Sequence, residues 1–453
     1  MWAFIKTFFI PLVVLVALVD FAFFRFLLRL TQGQGFGLYF IVILLAIEYY
    51  SYQAARILAP NKYVMYAYIA VHVILYGILF YMSYSRGSGW SSAHFKNMLI
   101  LLTLFIVPKI FLAVAMVIED AVRLIWYTYS NYRISDDVEI PSRRKAVAWI
   151  ALGVAAIPFL GVVHGIFIGK YNYRVVRKPV YLDDLPEEFE GFTITQLSDI
   201  HAGSFDNDER VQYGIDLANR QNSDIIVFTG DMVNNVYTEV VPYTPFFAKL
   251  SAKEGMFAVL GNHDYGHYGN LTEEEKKFSK PRLQDEQRKM GFKPLNNEMH
   301  SIVRNGKRLN IVGVENWGNA PFFPKYGDLD IATSGVREGD INVLLSHDPS
   351  HFDHDLEEAP NVRDYTKKIH LTLSGHTHGM QFGVEIPGFI KWSPVKYRYH
   401  NWAGLYKDRD RYLYVNRGFG FLGFPGRVGI WPEVTVLELR KTTPGKTKRG
   451  ANA

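Results

Sequence analysis

Leu373-Ser374-Gly375-His376-Thr377-His378-Gly379 is the stretch on which the reading turns. The apolar run before it, Ile369 to Leu373, predicts a short buried strand. Two histidines at i and i+2 near a strand end are expected on one side of the backbone. Neutral imidazole is the commonest metal ligand, so the pair points to a metal. Gly375 and Gly379 let the chain turn sharply beside a bulky charged centre. Alone, the pattern describes a solvated polar turn equally well. Four further stretches raise the metal reading above it.

Each of them follows a strand-like run. Phe192 to Leu197 leads into Ser198-Asp199-Ile200-His201, and Asp224 to Phe228 into Thr229-Gly230-Asp231-Met232-Val233-Asn234. Met256 to Leu260 leads into Gly261-Asn262-His263-Asp264, and Ile341 to Leu345 into Ser346-His347-Asp348. Ligands of α/β sheets bind beyond the carboxyl ends of strands. Five strand ends are therefore expected to aim Asp, His and Asn at one place. Asp199 and His201, again at i and i+2, can grip one ion together, and the Asp231 carboxylate can bridge two. Oxygen and nitrogen donors without sulfur suit Mn, Fe or Zn. Seven ligands exceed one tetrahedral ion, which predicts a pair of divalent ions. Two such ions clamp the attacking and leaving oxygens of a phosphoryl displacement and activate water.

In this order, Asp-x-His, Gly-Asp, Gly-Asn-His-Asp, His and Gly-His-Thr-His resemble the calcineurin-like metallophosphoesterases, over roughly Glu187 to Leu439. Leu295 to Glu298, Gly313 to Trp317, Leu413 to Gly418 and Pro432-Glu433 are similar to stretches of its membrane-associated or exported bacterial members. The resemblance implies a β-sandwich flanked by helices with metals at one edge. It implies that Asp199, His201 and His378 hold one ion, that Asn262, His347 and His376 hold the other, and that Asp231 bridges them. His263 would face the substrate phosphate as electrophile or general acid, with Asp264 orienting it. Among the remaining candidates, His267 and His400 are placed either at the site or on the surface, His351 and His354 on the surface, and His370 in a structural role. Asn234 and Asn235 are candidates to support the bridging carboxylate. Arg427 is expected to meet phosphate or to pair with a carboxylate.

The rest of the chain explains where such a domain would sit. Its 453 residues are too many for one ordinary domain. Phe8 to Leu28, Gly37 to Leu58, Tyr63 to Met82, Met98 to Ile118 and Ala146 to Ile168 are each long enough to span a bilayer. Aromatic content is 15%, much of it in this first third, as interface belts require. Asp20, Arg25, Glu48 and Lys109 lie in or near the spans and are expected to snorkel. His72 and His164 are expected to pack or to contact a helix. The expected organisation is residues 1–168 as a five-span region, 169–185 as a tether, 186–440 as an α/β phosphoesterase domain and 441–453 as a disordered basic tail.

The loop between spans four and five carries Arg123, Arg133, Arg143, Arg144 and Lys145, which reads as cytoplasmic. Five spans then put the catalytic domain outside the cytoplasm. Ser142-Arg143-Arg144-Lys145 before an apolar run also resembles a twin-arginine export signal, with the same outcome. Net charge is +5 without a basic block in the catalytic part, so no nucleic-acid surface is indicated. With no cysteine, thiolate sites, disulfides and Cys nucleophiles are excluded.

The expected function is hydrolysis of a phosphomonoester, phosphodiester or pyrophosphate, with a lipid-linked substrate among the options. The alternative is a catalytically silent membrane sensor or scaffold, which loss of a ligand would favour. A dimetal amidohydrolase would want His-x-His on an early barrel strand; here it comes last.

Overall fold

The computed structural model describes residues 37–84, 92–131 and 140–442, apart from 270, 322, 359–368 and 387. The expected span Phe8 to Leu28 lies outside the described residues, as do residues 443–453 of the expected tail 441–453, whose first residue, Lys441, belongs instead to a strand, Glu433–Lys441. The chain divides into two compact units, Met1–Val163 and His164–Ala453.

The described part of the first unit is helical: α1 (Gly37–Leu58), α2 (Lys62–Tyr84), α3 (Ser92–Asn131) and most of α4 (Ile140–Phe167). Asn97–Val122 and Lys145–Phe167 are long and apolar enough to cross a membrane, with mean hydropathies of 2.6 and 2.3. Two expectations need correcting here. Arg123 falls inside α3, and Arg143, Arg144 and Lys145 fall inside α4, so the basic cluster is mostly helix rather than loop. Glu48 and Lys109 do not snorkel. Lys109 Nζ donates to Glu48 Oε1 at 2.5 Å, and Tyr76 Oη donates to the same oxygen at 2.5 Å. Three helices thus share one buried polar contact, because an unpaired charge in an apolar bundle is costly. His72 contacts its own helix, with Nδ1 2.7 Å from the Tyr68 carbonyl.

The second unit is built on two six-stranded sheets. One runs in the order β1 (Arg174–Leu182), β14 (Glu433–Lys441), β2 (Thr193–Leu197), β3 (Ile225–Thr229), β4 (Met256–Val259), β5 (Lys293–Pro294). The other runs β12 (Gly404–Asp408), β13 (Arg411–Val415), β9 (Leu371–Ser374), β8 (Ile341–Leu345), β7 (Lys307–Gly313), β6 (Glu298–Arg304). Residues 169–185 are no tether: β1 pairs with β14 over nine positions, from Arg174↔Glu433 to Leu182↔Lys441. The short polar stretch read as a linker hides a strand because it lies at a sheet edge and is only partly buried.

Strand alternation explains the sandwich. In β3, Ile225 and Val227 face the core between the sheets, whereas Ile226 and Phe228 face the core beneath the helices. In β8, Ile341, Val343 and Leu345 point inward and Leu344 outward. Each such side chain contributes about 1.5–3 kcal/mol on burial. Helices α5 (Asp208–Asn219) and α6 (Glu273–Lys289) begin at caps: Asn207 accepts from Arg210 N–H, and Thr272 and Glu275 form a capping box. A short α7 (Ser350–Glu358) follows β8. Because β2, β3 and β4 are parallel in one sheet and β8 and β9 in the other, the carboxyl ends within each set lie at one edge of their sheet.

Candidate metal centre

The five motifs occupy the turns after those five strands. Asp199, His201, Asp231, His376 and His378 all take left-handed backbone, with φ of 51°, 47°, 60°, 69° and 51°. Each such conformation costs on the order of 1 kcal/mol outside glycine. The strain is tolerated where surrounding contacts hold the turn. Gly261 and Gly375 make room: a Cβ at Gly261 would stand 2.2 Å from Asp231 Oδ1, and one at Gly375 2.1 Å from Asp199 Oδ2.

Two groups of donors converge. Asp199, His201 and His378 form one, and Asp231, His347 and His376 the other. In the first, His378 Nε2 lies 3.0 Å from His201 Nε2 and 3.2 Å from Asp199 Oδ1. In the second, His347 Nε2 lies 3.1 Å from Asp231 Oδ2 and 3.2 Å from His376 Nδ1. The same Asp231 oxygen is 3.7 Å from His201 Nε2, so it reaches both groups. The His-x-His pair therefore parts, one ring to each group. The expectation that i and i+2 share a side assumed extended backbone; the left-handed turns at His376 and His378 remove that premise.

Hydrogen bonds set the ring tautomers. His201 Nδ1 donates to the Val233 carbonyl at 3.1 Å, and His347 Nδ1 to the Thr229 carbonyl at 2.8 Å. Burial holds His201 well below the usual imidazole range, so its Nε2 offers a lone pair. Asp199, His201 and His378 can together hold a cation.

Burial opposes ionisation of Asp231, but His347, His263 and His201 outweigh it and hold the carboxyl well below its ordinary value. Burial likewise opposes a charge on His347, and Asp231 and Asp199 overcome it, raising this ring to about 10 in the metal-free chain. Asn262 Oδ1 is buried without a hydrogen-bond partner, while its Nδ2 donates to Tyr268 Oη at 3.1 Å. The tyrosine fixes the amide so that its oxygen is left for another ligand. An orphaned buried acceptor in a turn whose next residue donates its N–H to Asp231 fits a divalent ion.

The structure reassigns Asp264. Its carboxylate does not touch the His263 ring. Oδ2 accepts from the Asp231 and Gly261 N–H groups at 2.9 and 2.8 Å, and Oδ1 from Met232 N–H at 2.8 Å. It thus holds the turn that carries Asp231. In return Asp231 Oδ1 accepts from His263 N–H at 2.9 Å. Burial and the Asp231 charge push Asp264 up to about 7, against the pull of its N–H donors. The His263 ring is oriented instead by the Asn234 carbonyl, 2.6 Å from Nδ1, and lies against Tyr268 with centroids 4.3 Å apart.

Other candidates divide. His400 is exposed, and its neighbour Tyr399 takes the place it was considered for: Tyr399 Oη lies 2.8 Å from His376 Nε2. Asp348 Oδ2 lies 3.5 Å from both. The sequence marked the aromatic segment but not which of its residues turns inward. His267 is exposed and stacks on Tyr265. His351 is buried, contrary to expectation, 2.8 Å from Ser346 Oγ and stacked on Trp317. His370 is structural, its Nδ1 accepting from Asn342 N–H at 3.1 Å. Asn234 N–H donates to Glu239 at 2.6 Å. Arg427 forms no ion pair with a carboxylate among the described residues. Fully buried, it donates to the carbonyls of Arg417 at 2.8 Å and Gly420 at 2.5 Å, and so holds the turn after β13.

Comparison with known proteins gives two family matches. "Calcineurin-like phosphoesterase" matches residues 192–380, and "Probable Calcineurin-like phosphoesterase, transmembrane domain" matches residues 35–170. The second covers four of the five expected spans; Phe8 to Leu28 precedes it. The chain is 30% identical over 288 residues to the uncharacterized metallophosphoesterase YkuE of Bacillus subtilis, spanning 60% of this chain and 91% of that protein. It is 28% identical over 288 residues to an uncharacterized metallophosphoesterase of Aquifex aeolicus, spanning 62% and 98%. To the transmembrane protein with metallophosphoesterase domain of Danio rerio it is 26% identical over 307 residues, spanning 66% and 63%.

Proposed function

The chain belongs to the calcineurin-like phosphoesterase family, and from that premise we propose a membrane-anchored, dinuclear-metal phosphoesterase that cleaves a phosphomonoester, phosphodiester or pyrophosphate. The observation that carries this reading is Asp231 Oδ2, one carboxylate oxygen within 3.1 Å of His347 Nε2 and 3.7 Å of His201 Nε2. Asp199, His201 and His378 would hold one ion, Asn262, His347 and His376 the other, and Asp231 both. The donors suit Mn, Fe or Zn. Such ions would neutralise phosphoryl oxygens and make the attacking water more acidic.

The remaining steps belong to the protein. His263, with Nδ1 tied to the Asn234 carbonyl, keeps Nε2 to donate a hydrogen bond or a proton to the leaving oxygen. Asp264 keeps the bridging carboxylate in place through the backbone of its turn. Asp348 and Tyr399 fix the His376 ring from its Nε2 side, leaving Nδ1 as the ligating atom. All seven donors are present, which weighs against a silent sensor or scaffold.

Transmembrane helices on the same chain make a lipid-linked phosphoester the substrate class to try first. The test is a hydrolysis screen of the purified full chain over lipid and soluble phosphoesters with added Mn. Absence of metal-dependent turnover on every phosphoester would end the proposal. Five spans and an extracytoplasmic catalytic domain complete it. Reporter fusions after Arg133 and after Gly169 should lie on opposite sides, the later one outside; a cytoplasmic result after Gly169 would reverse the topology.

A further inference from the structure

Strands β10 (Val384–Ile386) and β11 (Ile390–Trp392) form a two-stranded hairpin of their own, outside both six-stranded sheets. The register pairs Val384 with Trp392, Glu385 with Lys391 and Ile386 with Ile390. Alternation puts Val384, Trp392, Ile386 and Ile390 on one face and Glu385 and Lys391 on the other. The hairpin is inverted relative to a soluble one. Its polar face holds it to the domain: Arg417 donates to Glu385 Oε1 at 2.6 Å, and Lys391 Nζ to the Ala403 carbonyl at 2.5 Å. Its apolar face looks outward, with Ile386 51% and Val384 45% exposed, and Phe389 at the tip 86% exposed. Beyond the hairpin, Lys396 and Arg398 are exposed around Tyr397, itself 77% exposed.

We propose that this hairpin dips its apolar face and Phe389 into the lipid–water interface of the membrane that carries the chain. An exposed apolar patch rimmed by polar residues marks an interaction site. The patch is a few side chains wide, too small for the ~800 Å² per partner of a stable protein interface. Aromatic and aliphatic tips beside Lys and Arg are instead what an anionic bilayer surface takes up, weakly, and the same chain carries a transmembrane domain. The hairpin also reports to the metal centre. It leaves the turn that carries His378, and its base is pinned back there by Ser393 Oγ donating to the Gly379 carbonyl at 2.7 Å. An inserted hairpin therefore sets how far the metal ligands stand from the lipid headgroups.

The chain has no cysteine, so single labels are clean. The full chain carrying Phe389→Cys or Tyr213→Cys is labelled with an environment-sensitive fluorophore and placed in nanodiscs of phosphatidylethanolamine and phosphatidylglycerol. Tyr213 is exposed on α5 and serves as the aqueous reference. At 389 the emission should shift to the blue, and brominated lipid should quench it roughly threefold more than at 213. Adding Ile386→Asp to the Phe389→Cys chain should reduce that quenching. Equal aqueous emission at both positions would overturn the proposal. So would a shielded 389 label that brominated lipid does not quench and that cross-links to a second copy. Depth is read without turnover, so this result and the hydrolysis screen succeed or fail separately.

Discussion

Asp264→Asn separates two arrangements of the centre. Asp264 accepts four backbone N–H bonds, two through Oδ2 at 2.8 and 2.9 Å and two through Oδ1, from Met232 at 2.8 Å and from Val233 at 3.4 Å. An amide keeps an oxygen on one side only. Its best placement keeps the bonds from Asp231 and Gly261 and turns NH2 towards the Met232 and Val233 N–H groups. Above pH 7, where Asp264 is ionised, the charge-assisted bond from Met232 is lost together with the long one from Val233, about 1.5–3 kcal/mol, and a buried donor is orphaned, about 1–3 kcal/mol more. A total of ~2.5–6 kcal/mol in the His164–Ala453 unit, at ~0.6 kcal/mol per degree, lowers the melting temperature by roughly 4–10 °C. The measurement is scanning fluorimetry of the metal-free full chain in detergent, with metal content after reconstitution read by mass spectrometry. Metal retention should fall with stability, because the turn bearing Asp231 loosens. If Asp264 merely oriented the His263 ring, only turnover would suffer. An unchanged melting temperature with full metal content would refute the assignment made from the backbone contacts.

Three further outcomes are expected. Below about pH 10 the metal-free chain holds a proton on His347 that a ligating Nε2 must give up, so metal affinity should rise with pH, approaching tenfold per unit between pH 7 and 9; calorimetry in two buffers of different ionisation heat should find about one proton released, and none would contradict the ligand role. His263→Ala should leave metal content near normal and lower turnover by roughly 10²–10⁴, less for leaving groups that need no proton; a loss independent of leaving group would point to positioning instead. In the helical unit, Lys109→Met strands the Glu48 carboxylate and should destabilise by about 3–5 kcal/mol, whereas Glu48→Gln with Lys109→Met should recover most of it; equal melting of single and double variants would show that the pair contributes nothing.

The sequence by itself determined the strand ends and the Asp, His and Asn turns that follow them. Apolar runs followed by Asp, His and Asn at turns need only local pattern to be seen, and the five strands formed within a residue or two of their expected bounds. It also determined where apolar helices lie from Gly37 onward. What it could not carry was every contact made across the fold. The edge strand β1 is bound by β14, more than 250 positions later, so nothing in its own polar residues announced a strand. Tyr399 reaches His376, and Asp264 reaches Asp231, through turns whose left-handed backbone is imposed by packing rather than by residue type. Glu48 finds Lys109 only when three helices assemble. The outward apolar face of β10 and β11 follows from the cross-strand register and from Arg417 gripping Glu385, a side-chain contact that exists only once the sheets have closed. Ligand chemistry is local and is written in residue types; orientation and exposure depend on distant neighbours, and the tertiary structure decided them.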